Sequence, residues 1–361
     1  MGYEIDFLPV GSEGDGGDAI AMRYGNLFGP RSEQTVIVVD GGYQDDGLAV
    51  VEHVNRFYDT NEVDFVVSTH PDQDHISGLE VVLEEMDVGT LLMHEPGNHD
   101  AFIWKGSAFE VKGPVLGEYL AKSLTQSRAL YDLAIHEGIK VVEPFTGMAT
   151  EDGVFRILGP TQEYYEALLK EMRGRDHLAG SLSAKEALSK AVSRPPVGSD
   201  REDHYLELLS ERSVTTASNN SSVISMLEVD GQKILLTGDA GEEALRPVVA
   251  QLQQAGVAPG GLNFVQIPHH GSRKNVTPSL LNDLLGSITE HRRGVAFVSV
   301  PKKNPDFQFP SKQVTNAFVR RGFRVMATAG SAKRHHRNAP DRGWSRATPL
   351  PLYERVEVFD D

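Results

Sequence analysis

The sequence predicts an α/β fold in which helices are layered on sheets, interrupted by a mainly helical insertion. Three observations carry this. Short apolar runs joined by turn residues open the chain as hairpins and then alternate with helically spaced segments up to residue 93. Strand signals return after residue 216. In both parts the buried runs end in Asp, His or Gly, which is how open sheets present a site at one edge.

Residues 5–10 read as a first strand, followed by the glycine-rich Gly11-Ser12-Glu13-Gly14-Asp15-Gly16-Gly17-Asp18. No helix follows, so this reads as a hairpin turn rather than a phosphate loop. Strands are expected at 19–24 and 35–39, the second ending in Asp40-Gly41-Gly42, where glycine lets backbones approach closely. A helix at 48–58, a strand at 64–67, a helix at 76–86 and a strand at 90–93 come next, the last ending at His94-Glu95-Pro96. From 98 the signal changes, with helices at 115–136, 162–172 and 183–191 around short strands at 140–142 and 154–158. His177 and His204 stand singly in polar surroundings and read as surface histidines. Strands then follow at 222–229, 233–236, 262–267, 295–300 and 324–327, the first two joined by the hairpin turn Asp230-Gly231. The expected divisions are therefore 1–97, an inserted cap at 98–215, and 216–361.

There is no cysteine, which excludes disulfides and thiolate metal sites, so any metal must be held by nitrogen and oxygen. The N-terminus lacks a basic, apolar leader and no run approaches a membrane span, so a soluble cytoplasmic protein is expected, with no membrane contact. A net charge of −16 argues against indiscriminate nucleic-acid binding. It hides an asymmetry: residues 291–347 hold 13 Lys/Arg against two acids, +11, and leave −27 for the rest. Such a segment is either a solvated basic face or an electropositive rim for an anionic substrate.

The run at 63–67 leads directly into Ser68-Thr69-His70-Pro71-Asp72-Gln73-Asp74-His75. Two histidines and two aspartates this close at the end of a core strand need a cation to neutralise the carboxylates. Further strand ends supply Asp239, in Thr237-Gly238-Asp239-Ala240, and one or both of His269 and His270, in Pro268-His269-His270-Gly271-Ser272. Six or seven such ligands exceed what one catalytic zinc takes. They suit two divalent ions sharing a bridging carboxylate, about 3.5–4 Å apart in known two-metal sites, which make hydroxide available at neutral pH.

These residues, with Phe7-Leu8-Pro9-Val10-Gly11, Gly17-Asp18-Ala19-Ile20, Val38-Val39-Asp40-Gly41-Gly42, Ile76-Ser77-Gly78 and Asn219-Asn220-Ser221-Ser222-Val223, resemble the metallo-β-lactamase fold hydrolases. The similarity is to the nuclease-like domain of the competence DNA-uptake protein ComEC in particular. It implies an αββα four-layer sandwich, two mixed β-sheets flanked by helices, carrying the inserted helical cap. It also implies that His70 and Asp72 hold a first metal, with Asn219 near where many relatives place a third histidine. Asp74, His75 and His270 would hold a second, Asp239 would bridge, and Asp40 would orient the cluster. Asp74, Asp40 and His269 are then the catalytic candidates. Asp72 stands where the commoner motif has a histidine, which makes Mn2+ or Mg2+ plausible beside Zn2+.

Two departures matter. The family's tail commonly carries Gly-His-Pro-Ser, whereas this chain has Gln308-Phe309-Pro310-Ser311. The stretch between His94 and Asn219 is also longer than the core fold needs. The expected activity is phosphodiester hydrolysis at two metal ions, on a nucleotide or nucleic acid, with Lys302, Lys303, Ser311 and Arg334 as substrate contacts. Hydrolysis of an ester, lactone or amide is the alternative within the enzyme class. A metal-binding partner or sensor module of a defence or uptake system, docking through 98–215, is the alternative outside it.

Overall fold

A computed structural model describes residues 1–11, 16–99, 115–178, 197–302 and 309–358. The helix expected at 183–191, Lys303 and Gln308 lie outside the described residues. Strands β1 (Gly2–Phe7), β2 (Ala19–Gly25) and β3 (Gln34–Gly41) form an antiparallel meander. Helix α1 (Gln44–Tyr58), β4 (Glu62–Val67), α2 (Gln73–Glu85) and β5 (Asp87–Leu92) extend it as parallel crossovers. Helix α3 (Val115–His136) leads to β6 (Lys140–Val142), the parallel edge strand next to β5.

The second half repeats the plan. β7 (Phe155–Gly159), β9 (Ile224–Val229) and β10 (Gln232–Leu236) are antiparallel, after which β11 (Phe264–Gln266), β12 (Gly294–Val298) and β13 (Phe323–Ala327) run parallel. Helix α4 (Gln162–Leu178) and the one-turn α5 (Ala217–Asn220) precede β9, with β8 (Gly198–Arg201) between them. The outer helices are α6 (Glu242–Gln254), α7 (Pro278–Leu285) and α8 (Lys312–Arg320).

Period-two alternation on the central strands builds the layers. On β3, Val36 and Val38 face α1 and α2, whereas Ile37 and Val39 face the opposite sheet. On β10, Leu235 packs toward α6–α8 and Ile234 and Leu236 toward the first sheet. Between the sheets Phe7, Phe264 and Phe297 pack with centroids 5.0–5.8 Å apart. The result is the expected αββα sandwich with two mixed sheets.

Two expectations change. The 98–215 segment is not separate from the sandwich: it supplies β6 to the edge of the first sheet and β7 to the edge of the second. The basic tail is largely structural. Lys333–Arg337 forms β14, paired antiparallel with β1 in register Tyr3↔Arg337 to Phe7↔Lys333. Arg334 binds Glu4, and Arg342 reaches Glu4 at 2.7 Å and Asp6 at 3.0 Å. Arg320 meets Glu202 at 2.9 Å with both side chains buried, and Arg321 meets Glu207 at 2.8 Å. These four cations neutralise internal acids, so their share of the +11 is not available as a rim, whereas Arg292, Lys302, Arg324, Arg337 and Arg346 are exposed. A two-stranded sheet of β8 with β15 (Arg355–Val358) closes the chain. No helix among the described residues is long and apolar enough to cross a membrane.

Candidate metal centre

The loops after β3, β4, β10 and β11 meet at one edge of the sandwich, where parallel strands deliver their C-terminal ends. Asp40 is the last aspartate of β3, and its left-handed backbone (φ 56°) turns the carboxylate back under the loop after β4. It accepts hydrogen bonds from Thr69 N at 2.8 Å, Thr69 Oγ1 at 2.7 Å and His75 Nδ1 at 2.7 Å. Thr69 spends its one hydroxyl proton on Asp40, so its 3.0 Å contact with His70 Nδ1 has the ring as donor. Both rings therefore carry their proton on Nδ1 and turn a lone pair on Nε2 toward the centre.

Across the gap, the residues after β11 hold three successive left-handed conformations: His269 (φ 48°), His270 (φ 53°) and Gly271 (φ 81°). This unusual backbone aims two adjacent imidazoles into the same space. His270 Nδ1 donates to the Ser299 carbonyl at 3.1 Å, leaving Nε2 facing Asp74 Oδ2 at 3.4 Å. His269 Nδ1 lies 2.9 Å from Asn275 Oδ1, and its Nε2 faces Asp239 Oδ2 at 3.7 Å. Asp239 sits in the middle, with Oδ1 3.4 Å from His75 Nε2 and Oδ2 3.8 Å from His70 Nε2. Asp72 Oδ2 is 3.7 Å from His70 Nε2, while its Oδ1 accepts from Ser218 Oγ at 2.6 Å.

His70 Nε2, His75 Nε2, His270 Nε2 and Asp239 Oδ1 are all buried without a hydrogen-bond partner. Four orphaned lone-pair atoms around one space are costly unless a cation takes them. The donor set therefore fits divalent metal. His70, His75 and Asp239 form one candidate group, and Asp74, His75 and His270 a second. The electrostatics agree. Burial alone would lower the pKa of His75, yet the carboxylates of Asp239, Asp74 and Asp40 hold it well above its usual value. Burial likewise disfavours charge on His270, but Asp239, Asp74 and Asp18 push it up to about 9. In reverse, His75, His269 and His270 outweigh burial at Asp239 and hold it well below the carboxylate range. The pocket thus demands positive charge, supplied by protons where no metal is bound.

Several sequence candidates stand elsewhere. Asn219 does not face the carboxylates: its amide nitrogen lies 3.0 Å from His269 Nδ1 and its oxygen accepts from Thr216 Oγ1 at 2.7 Å. The ring that faces Asp239 from this side is His269, with Nε2 3.7 Å from Asp239 Oδ2. Arg334 is buried against Glu4 on the far strand β14, and Ser311 is bonded to Glu357, so neither side chain is free for substrate. Lys302 is exposed, and Lys303 is outside the described residues. Conversely, sequence reasoning gave no role to Asp18. This buried carboxylate accepts from Gln266 Nε2 at 2.8 Å and lies 3.9 Å from His75 Nδ1. Its signal was its place in Gly17-Asp18-Ala19-Ile20, just after two glycines and just before a strand.

The model of the metallo-beta-lactamase superfamily matches residues 28–284. No curated protein matches the chain. Among solved structures, Zn2+-bound PqqB from Methylobacterium extorquens is similar at 12% identity and TM-score 0.43, covering 92% of this chain and 99% of that one. A metallo-beta-lactamase from Hirschia baltica is similar at 12% identity and TM-score 0.29, covering 73% and 91%. A CmlA beta-hydroxylase variant is similar at 11% identity and TM-score 0.43, covering 92% of this chain and 53% of that chain. These remote likenesses assign no chemistry. With the family model spanning both halves of the centre, from before Asp40 to beyond His270, the chain belongs to the metallo-β-lactamase superfamily.

Proposed function

We propose that this chain is a two-metal hydrolase of phosphodiesters, acting in the cytoplasm on a nucleotide or nucleic-acid bond. The observation that carries it is the pair of adjoining ligand groups, His70–His75–Asp239 and Asp74–His75–His270, with three inward Nε2 atoms and Asp239 Oδ1 left unbonded by the protein. The ordered motifs, which resemble those of the ComEC nuclease-like domain, support the same reading. Zn2+ or Mn2+ would be held by His70, Asp72, Asp239 and His269 on one side and by Asp74, His75, Asp239 and His270 on the other. Bound in such a centre, divalent ions bring water toward neutral pKa and stabilise charge developing on the oxygens of a displacement.

The chain's own part is to keep the geometry fixed. Asp40 sets the proton on His75 and, through Thr69, on His70. The Ser299 carbonyl does the same for His270. Protein purified with Mn2+ should hydrolyse bis-p-nitrophenyl phosphate, and Asp239→Ala or Asp74→Ala should lose that activity by about a hundredfold or more. Unchanged turnover in either variant would overturn the proposal.

One observation favours hydrolysis of an uncharged ester, lactone or amide instead. A pocket beside His70 is lined by Ser68, Pro71, His94, Ser127, Tyr165 and Ser221, with no Lys or Arg among the described residues that line it. Turnover of p-nitrophenyl acetate or a lactone panel, with none on phosphodiesters, would select that reading. A docking role for 98–215 toward a protein partner remains compatible with either.

A further inference from the structure

Gln266 is a buried amide that joins the two halves of the metal centre. It ends β11 two residues after Phe264, whose ring packs between the sheets, so period-two alternation turns Gln266 to the same side. It is buried, and an amide there is costly unless bonded. Its Oε1 accepts from the backbone N–H of Thr237 at 2.9 Å and of Gly238 at 3.1 Å, and its Nε2 donates to Asp18 Oδ2 at 2.8 Å. The two backbone donors fix which end of the amide is oxygen. Thr237 and Gly238 lead directly into Asp239. At the other end, the Asp18 N–H donates to the Asp74 carbonyl at 3.2 Å, and its own carbonyl accepts from Gly42 N at 2.8 Å. The Asp18 carboxylate lies 3.9 Å from His75 Nδ1. This approach is close: a Cβ on Gly17 would fall 2.1 Å from the Asp74 carbonyl oxygen.

We infer that Gln266 and Asp18 are positioning residues, a strut that sets the spacing between Asp239, from the second sheet, and the Asp74–His75 pair, from the first. This role rests on the reading of the cluster as a metal centre and is independent of which bond is cleaved there. Asp239 faces His75 Nε2 at 3.4 Å and His70 Nε2 at 3.8 Å across the space a cation would take. Behind that space, the strut ties the backbone just before Asp239 to the residue bonded to Asp74 and lying against His75. Capping the Thr237 and Gly238 N–H groups alone would need only the amide oxygen. The nitrogen is spent on a buried carboxylate, which costs desolvation, and an apolar side chain would fill the same volume. What the amide adds is a fixed length and a fixed direction between the two ligand sets, as groups behind metal ligands characteristically do.

The test titrates the full chain with Co2+ alone and follows the visible absorption of the ion, which reports its coordination. Gln266→Met keeps the length and neutrality of the side chain and removes all three hydrogen bonds. Its Co2+ affinity should fall about 10–100-fold, with an altered absorption spectrum. Asp18→Asn combined with Gln266→Glu reverses donor and acceptor at the joint and conserves the total charge. That double variant should recover most of the affinity and the wild-type spectrum. Wild-type affinity and spectrum in Gln266→Met, or a double variant no better than Gln266→Met, would overturn the strut. If Gln266→Met does not fold, Gln266→Asn, one methylene too short to reach both ends, takes its place with the same expected loss. Wild-type protein that binds Co2+ yet cleaves no phosphodiester overturns the proposed function alone. Wild-type protein that binds no Co2+ overturns the metal centre and the strut together.

Discussion

At the scale of single residues, the centre depends on groups whose oxygens are taken up by hydrogen bonds within the protein. Asp40 takes three hydrogen bonds, two of which set the orientation of His75 and Thr69 side chains. Asp40→Asn retains the shape but places an amide donor against His75 Nδ1–H or Thr69. Metal affinity or activity should fall about 10–100-fold, measured by metal titration and by turnover. An affinity equal to wild type would remove Asp40 from this role. Metal removal should also show in stability. At a hundredfold excess over Kd, bound ion adds about 2.7 kcal/mol, so chelation should lower Tm, and Asp239→Asn should abolish most of that response. The histidines and aspartates of 70–75 and Asp239 were legible because their residue types and strand-end positions announce metal chemistry. The choice between His269 and His270 was not. It depends on two left-handed backbones that send both rings inward, and nothing in the side-chain pattern encodes that.

At the scale of elements, α2 carries Asp74 and His75 on its first turn and has to lie almost against the end of β3. Gly78 makes this approach possible: a Cβ there would fall 2.0 Å from the Gly41 carbonyl oxygen and 2.7 Å from its carbon. Both obstacles are backbone, so no side chain can move aside. Gly78→Ala should cost about 3 kcal/mol in denaturant unfolding and also displace Asp74 and His75, lowering activity in the protein that remains folded. Full stability in this variant would mean that the helix shifts without cost. The spacing predicted helices at 48–58 and 76–86, and the observed Gln44–Tyr58 and Gln73–Glu85 each begin earlier. Their first turns are polar, Asp45-Asp46 in one and Gln73-Asp74 in the other, and so lack the apolar period that marks the rest. Strand β14 was missed for a related reason. Lys333-Arg334-His335-His336-Arg337 has no alternation of apolar and polar residues and becomes a strand because β1 offers a free edge.

At the scale of the whole molecule, the two ends of the chain are locked together by buried charge. Glu4 and Asp6 on β1 are fully buried, and Arg23, Arg334 and Arg342 converge on them. Removing one cation strands a buried carboxylate, so Arg342→Met should cost about 3–5 kcal/mol at neutral pH. The pH dependence has a definite sign. Burial pushes the Asp6 carboxyl up, but His53, Arg342 and Tyr58 together hold it below its ordinary 3.8. Its contribution is therefore present above the ordinary carboxylate range and is lost as pH falls through and below it. The stability gap between wild type and Arg342→Met should narrow as pH drops through that range, measured by urea unfolding at a series of pH values. A gap independent of pH would show that Arg342 contributes packing alone.

The sequence by itself determined the layered class, most core strands and the residue types of the centre, because apolar period and ligand chemistry are local properties. Tertiary structure alone decided three things. It put β6 and β7, from the segment expected to form a cap, on the edges of the two sheets, since an edge strand is defined by its neighbour. It turned much of the basic tail inward, because charge counted along a chain does not reveal which acids it will meet. It also completed the metal cluster of 70–75, bringing Asp239 and both His269 and His270 to within 3.4–3.8 Å of its side chains or of one another. Distances between residues so far apart in the chain are set only when the two sheets pack face to face.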